Sequence, residues 1–255
     1  MIETSFDLWN IQGLFSAPAI LSDSLDSTHA EMKRSVHLLK DGTLIIANEQ
    51  KKGKGRHLRN WISPYNKNLY FNFLLPLNGV SLSQAPLFMQ VTAIAIAELL
   101  KDLGIVGVNV KWPNDIWVNR EKLGGIIAEV LSVNSSYKLS VGVGLNVNVS
   151  REELMLIDRP TTSLSILSGE NWNREILLQK IVLTLENAFE SFQKEGIKPW
   201  LEKWEKMDLF LGNKVRIVEG EKKLEGILLG INENGSLALK TPEGVKNVFF
   251  GDLEI

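Results

Sequence analysis

Between Ala47 and Leu75 the chain reads ANEQKKGKGRHLRNWISPYNKNLYFNFLL, where Lys51, Lys52, Lys54, Arg56, Arg59 and, in part, His57 crowd around Gly53 and Gly55. Backbone amides and cations on a glycine-containing loop between two strands can close over a phosphate or another small anion. The same run also reads as a solvated turn, so the loop alone does not decide the chemistry. Two further segments bear on it: Lys111 to Glu129, KWPNDIWVNREKLGGIIAE, and Val141 to Asn148, VGVGLNVN. These motifs offer Lys, Arg and Gly but no convincing Ser/His/Asp set, so the chemistry within reach is stabilisation of developing negative charge rather than attack by a side-chain nucleophile.

In order and in spacing the three segments resemble the signature of the biotin protein ligases: a GRGRRGRxW loop followed by SPxxNLY, then KWPND, KLGGIL.E and GxGLNVN. The likeness runs from about Ser24 to Ile255, and the co-occurrence of several ordered motifs makes it specific. It implies an ATP-dependent ligase that activates biotin as biotinyl-5′-AMP and transfers it to a specific lysine of a biotin carboxyl carrier protein. The catalytic motifs begin close to the first residue, which implies the monofunctional class, without the N-terminal DNA-binding domain that some members carry.

Carried over position by position, the resemblance places Lys54, Gly55 and Arg56 in the loop segment that closes over biotin and the acyl phosphate. Lys122, in EKLGG, matches the lysine that lies against the carboxylate and α-phosphate; it and Arg56 are the expected catalytic groups. From the residues alone, Lys122 reads as a lysine in an exposed turn. Ser27, Thr28 and His29 match a Ser-Thr-Asn element that contacts the biotin ring system, and simple helix capping is compatible with the same residues. Gln50 corresponds to a glutamine on the biotin carbonyl side, and Trp112 is assigned to packing on biotin's apolar ring or to the core. For the nucleotide the resemblance points to Arg56, Trp61, Lys111, Asn114 and Asn146, with Asp115 as a carboxylate suited to magnesium. A lone tryptophan such as Trp61 is more often core, and the glycines of VGVG equally suit a bulge or close sheet packing. The ligands implied are biotin as substrate and ATP with Mg2+ as co-substrate and ion; no tightly bound prosthetic group is expected.

The chain departs from the family pattern in four places. Lys54 stands where Arg is usual, keeping the charge but losing the bidentate fork. Leu58 stands for Gly, and His29 for an Asn whose amide offers a donor and an acceptor together. A C-terminal arginine that reaches ATP in some members has no counterpart in Gly251-Asp252-Leu253-Glu254-Ile255, which implies a terminal unit that does not touch nucleotide.

The elements that must position these residues follow from periodicity and punctuation. A helix is expected over Ala30 to Leu39, with Ser27 or Thr28 as N-cap and a stop at Asp41-Gly42. Strands are expected over 43–47 and 68–75, then a long helix from about Ser83 to Leu103 ahead of Gly104. Short strands follow at 108–112, 116–118, 125–131 and 138–145, whose tight connections imply antiparallel pairing. A second long helix is expected over Glu175 to Glu195 and a shorter one from Pro199 to Lys206. This is an α+β domain with a mixed, mostly antiparallel sheet flanked by helices, similar to the class II synthetase-like catalytic domain of biotin and lipoate ligases. From Leu211 the character changes to short β runs with hairpin signals at Glu219-Gly220, Asn234-Gly235 and Glu243-Gly244. The division expected is 1–210 for the catalytic domain and 211–255 for a small SH3-like β-barrel.

Composition narrows the partners. With 28 Lys+Arg against 30 Asp+Glu, a formal net charge of −2 argues against a generally basic nucleic-acid binder, so the basic loop should meet a small anion. The chain has no cysteine, so a disulfide framework, a thiolate metal site and a cysteine nucleophile are excluded. No membrane span or signal peptide is visible; a cytoplasmic protein with no DNA or membrane partner, a monomer or a homodimer, is expected. Three other readings compete: a lipoate-type ligase, a non-catalytic biotinyl-adenylate-binding regulator, and a nucleic-acid module in the terminal barrel.

Overall fold

Strong alternation in residues 69–75 places bulky groups on both faces of one strand, so that strand must sit inside the sheet with helices on either side. In the computed structural model, which describes residues 10–56, 59–155 and 157–254, this is β3, Leu69–Pro76, buried along nearly its whole length. Before it come β1 (Ala19–Leu25), α1 (Thr28–Ser35) and β2 (Leu44–Gln50). After it come α2 (Phe88–Asp102), β4 (Val108–Lys111), β5 (Asp115–Val118), β6 (Glu121–Val133) and β7 (Ser136–Leu145). Two short helices, α3 (Arg151–Leu154) and α4 (Leu164–Ser168), lead to α5 (Arg174–Glu195) and α6 (Lys198–Met207). The chain closes with β8 (Lys214–Glu219), β9 (Lys222–Ile231), β10 (Leu237–Thr241), β11 (Gly244–Val248) and β12 (Asp252–Glu254).

The first seven strands form one sheet in the order β1-β2-β3-β7-β6-β5-β4, in which only β1 and β2 run parallel. Successive residues point to opposite faces, and the two faces differ. Phe71, Phe73, Ile126, Val141 and Val143 join Phe88 of α2 and Phe189 of α5 in the main core. On the other face Ile45 and Leu74 meet Met32 and Val36 in a smaller cluster under α1. Beyond α1 this second face carries Asn72, Ser140, Gly142 and Gly144, residues too small or too polar to attract another helix.

Several expectations need correction. Strand β1 was not anticipated, because Ser22, Asp23 and Ser24 interrupt its apolar alternation. The first helix ends at Ser35 and tightens into a 3-10 turn over Val36–Leu38. Ser27 occupies the N-cap position but its side chain makes no capping bond. The long helix begins at Phe88, after a separate 3-10 turn at Ala85–Leu87. The C-terminal strands form an antiparallel sheet in the order β11-β10-β9-β8-β12, and among the described residues its two edge strands do not pair, so the expected barrel is an open sheet.

That sheet is welded to the rest of the molecule. Val215, Ile217, Leu228, Leu237, Leu239 and Leu253 belong to the same buried cluster as α2 and α5. The carbonyl of Gly235, in the β9–β10 turn, accepts from Trp112 Nε1 and from Gln90 Nε2, each at 3.0 Å.

Candidate active site

A cavity of about 610 Å3 opens on the face beyond α1, and all the residues assigned a ligand role from the sequence line it. They reach it from five places: the start of α1, the end of β2, the basic loop, the β4–β5 turn, and the glycine-bearing halves of β6 and β7.

The floor is made by glycines for a steric reason. Gly125 and Gly144 are cross-strand partners, and the Trp61 indole lies on them so closely that a Cβ at Gly144 would fall 2.5 Å from Trp61 Cε2. Gly144 of VGVG is therefore a seat for an aromatic ring, while Gly142 packs closely on Asn72 and Ile127. Trp61 Nε1 is buried and has no hydrogen-bond partner among the described residues. Gly53 is required by packing within the loop itself, since a Cβ there would meet the Trp61 carbonyl at 2.4 Å. The loop closes as a small hairpin, with a bridge between Lys54 and Asn60, Gly55 N donating to Arg59 O at 2.7 Å and Trp61 N to Gly53 O at 2.9 Å. His57 and Leu58, counted above among the loop's features, lie outside the described residues.

The cations gather at the end of the cavity near β5. Lys122 is not an exposed turn residue: its side chain is 11% exposed, and Nζ sits 2.7 Å from Asp115 Oδ1 and 5.4 Å from the centre of the Trp61 ring. Lys122 is held by its own backbone, with N donating to Pro160 O at 2.9 Å and O accepting from Thr162 N at 3.0 Å. Burial lowers the pKa of Arg56 from its ordinary value, against the attraction of Asp252 and Asp115. Lys111 lies over the Trp117 ring at 4.5 Å, and burial lowers its pKa while Asp115 opposes the shift. Asp115, the expected magnesium ligand, thus already has a cation on one oxygen. Among the described residues no group of three or more metal-ligating side chains forms.

The other end is built from the start of α1. Gln50 Oε1 accepts from Thr28 N at 2.9 Å and from Thr28 Oγ1 at 3.1 Å, while Gln50 Nε2 donates to Ser63 Oγ at 3.1 Å. One Nε2 proton of Gln50 is left over. His29 is bonded to Glu129 at 2.8 Å.

Three expected ligand contacts are largely spent on the protein. Asn146 donates to Thr162 O at 3.0 Å and accepts from Asn68 Nδ2 at 3.3 Å. Asn114 donates to the Ile126 carbonyl, tying the β4–β5 turn to β6. Trp112 is buried and donates its only proton to Gly235. These residues shape the wall rather than offering it free polar groups.

The terminal sheet also reaches the cavity. Asp252 and Glu254 line it, and Asp252 forms a two-pronged ion pair with Arg59 of the basic loop. An acidic strand thus stands where the family pattern led one to look for an arginine.

The chain is similar to known proteins over most of its length. Residues 21–146 match the Biotin/lipoate A/B protein ligase family. The bifunctional ligase/repressor BirA of Escherichia coli is 32% identical over 232 residues, covering 91% of this chain and 72% of that protein. The chain belongs to the biotin protein ligase family. The biotin--[acetyl-CoA-carboxylase] ligase of Paracoccus denitrificans is 27% identical over 89% of this chain and 98% of its own length. Among solved structures, the biotin protein ligase from Aquifex aeolicus in complex with biotin and ATP superimposes with a TM-score of 0.78 at 31% identity, covering 92% of this chain and 97% of that one.

Sequence reasoning about the ligase missed Glu129, Asn72, Ser140 and Asp252. Glu129 was visible as the last residue of KLGGIIAE. Asn72 and Ser140 were visible as polar interruptions in otherwise apolar strands. Asp252 gave no local signal, because its partner Arg59 is far away in sequence.

Proposed function

We propose that this cavity binds biotin at the α1 end and MgATP at the β5 end, joins them as biotinyl-5′-AMP, and delivers the biotinyl group to a lysine of a biotin carboxyl carrier protein in the cytosol. The activity itself, ATP-dependent activation of biotin and its transfer to protein, is that of the family to which the chain belongs. The observation that carries the residue roles is the convergence of the motif residues on one cavity, with Lys122, Arg56 and Lys111 gathered about Asp115.

In the first step a biotin carboxylate oxygen attacks the α-phosphorus of ATP and pyrophosphate leaves. Anion meets anion, so the main need is neutralisation of the charge that builds up. Lys122 and Arg56 would supply it, with Lys111 toward the leaving phosphates. Asp115 keeps Lys122 aimed and is the carboxylate beside the cations that would hold magnesium; one carboxylate, phosphate oxygens and water make a usual set for this ion beside a nucleotide. When bound, magnesium would draw charge from the phosphate oxygens. In the second step an acceptor amine attacks the acyl carbon of the anhydride, the C–N bond forms and AMP leaves.

Biotin-dependent exchange of labelled pyrophosphate into ATP tests the first step, with lipoate as the competing acid. Exchange with lipoate and none with biotin would refute the substrate assignment.

A further inference from the structure

His29 stands at the biotin end where the family pattern has asparagine, and its neighbours fix its chemistry. Its Nε2 lies 2.8 Å from Glu129 Oε2, and Lys33 Nζ holds the other Glu129 oxygen at 2.7 Å. Burial acts to raise the Glu129 pKa, but the bonds from Lys33 and His29 outweigh it and hold the group below its ordinary value. An ionised carboxylate only accepts, so Nε2 carries a proton. On the other side, Asn72 Nδ2 lies 3.2 Å and Ser140 Oγ 3.4 Å from His29 Nδ1, and Ser140 Oγ donates its proton to Asn72 Oδ1 at 3.0 Å. Nδ1 is then an acceptor. The neutral Nε2–H tautomer satisfies the bonds to Glu129 and to Asn72.

We propose that His29 is a positioning residue for biotin: locked as the neutral Nε2–H tautomer between Glu129 and Asn72, it turns only its ring face and remaining carbon edge to the ligand, and biotin affinity falls when it takes a second proton. This rests on the assignment of the α1 end to biotin. A proton on Nδ1 would face the Asn72 amide donor. The acceptor within reach is Ser140 Oγ, fully buried and 3.4 Å away, a longer bond, and the Asn72 amide proton then loses the nitrogen that accepted it. The charged groups that act on the imidazole are Glu129 from β6, Lys33 from α1 and Lys54 from the basic loop. Burial lowers its pKa, Glu129 works against this, the two lysines add to it, and the net shift is downward. Folding therefore favours neutral His29, and the stability this contributes is present above the ordinary histidine range and lost as pH falls through it.

The test measures KM for biotin and for ATP by pyrophosphate exchange between about pH 5.5 and 8.5, a range in which histidine titrates and carboxylates such as biotin's are already ionised. The parent should show a biotin KM that rises by up to about ten-fold per pH unit below the His29 pKa, while its ATP KM stays flat. His29→Gln keeps a donor for Glu129 but cannot titrate, and its biotin KM should lose this dependence. An unchanged biotin profile in His29→Gln, or a titration in the ATP KM instead, overturns the inference. Absence of biotin-dependent exchange in the parent overturns the function and the inference together. The 15N spectrum of the parent's histidines gives a check that needs no variant: a His29 signal of the Nδ1–H form at neutral pH overturns the proposal.

Discussion

At Lys122 a structural role meets the proposed catalytic one, and the two can be separated. Its ammonium neutralises a mostly buried Asp115 and is also the group assigned to stabilise charge gathering at phosphorus. Lys122→Ala should lower adenylate formation by about 10² to 10³, the usual loss for a positioned charge-stabilising group. It should also cost roughly 1–3 kcal/mol of stability, because the Asp115 carboxylate is left without its partner. The double variant Lys122→Ala/Asp115→Ala removes that stranded charge, so its melting temperature should recover while exchange stays lost. Recovery of both would make Lys122 a structural residue only. At this scale the motifs told which side chains face the cavity but not how each polar atom is used. Asn146 and Asn114 occupy expected positions, yet their amides are taken by Thr162, Asn68 and Ile126, partners that no spacing rule reveals.

The basic loop could be read as an element with two strands beside it, and so could the strand–turn–strand order of β4 to β7, because tight turns leave antiparallel pairing as the short route. What could not be read is what the loop leans on. Its hairpin is anchored by Arg59 to Asp252 of β12, nearly the whole chain away. Asp252→Asn removes the charge from this clamp while keeping an oxygen acceptor. An exposed pair of this kind contributes at most about 1 kcal/mol, so global stability should hardly change. Amide exchange across residues 53–61 should nonetheless quicken, and the adenylate, which that loop is proposed to enclose, should escape sooner. Incubation with biotin, ATP and serum albumin reads this as added label on albumin. Equal labelling by parent and variant, with adenylate synthesis intact, would show that the clamp does not govern enclosure. Strand β1 escaped notice for a different reason: as an outer strand in a parallel pair it tolerates polar residues that blur the alternation.

Over the whole molecule, a change of character near Leu211 was visible in the turn signals, but the sequence did not say that the last strands would complete the core of the first two hundred residues. The decisive contact is the β9–β10 turn. Gly235 has φ +76°, and a Cβ there would come within 2.4 Å of Leu87 Cδ2. Its carbonyl meanwhile takes the protons of both Trp112 and Gln90. Gly235→Ala should thus combine left-handed backbone strain with overpacking and displace the two donors, costing about 2–5 kcal/mol. For a chain of this length that corresponds to a fall in melting temperature of roughly 5–15 °C. Gly220→Ala is the matched control, because Gly220 has φ +58° and nothing within 4 Å of its Cβ position. It should lose only the backbone share, about 1–2 kcal/mol. Because Trp112 both lines the cavity and hangs from Gly235, Gly235→Ala should in addition raise KM for biotin at temperatures where it remains folded, and Gly220→Ala should not. If the two variants lose equal stability and bind biotin alike, the terminal sheet is an attachment, and the wall of the site does not depend on it.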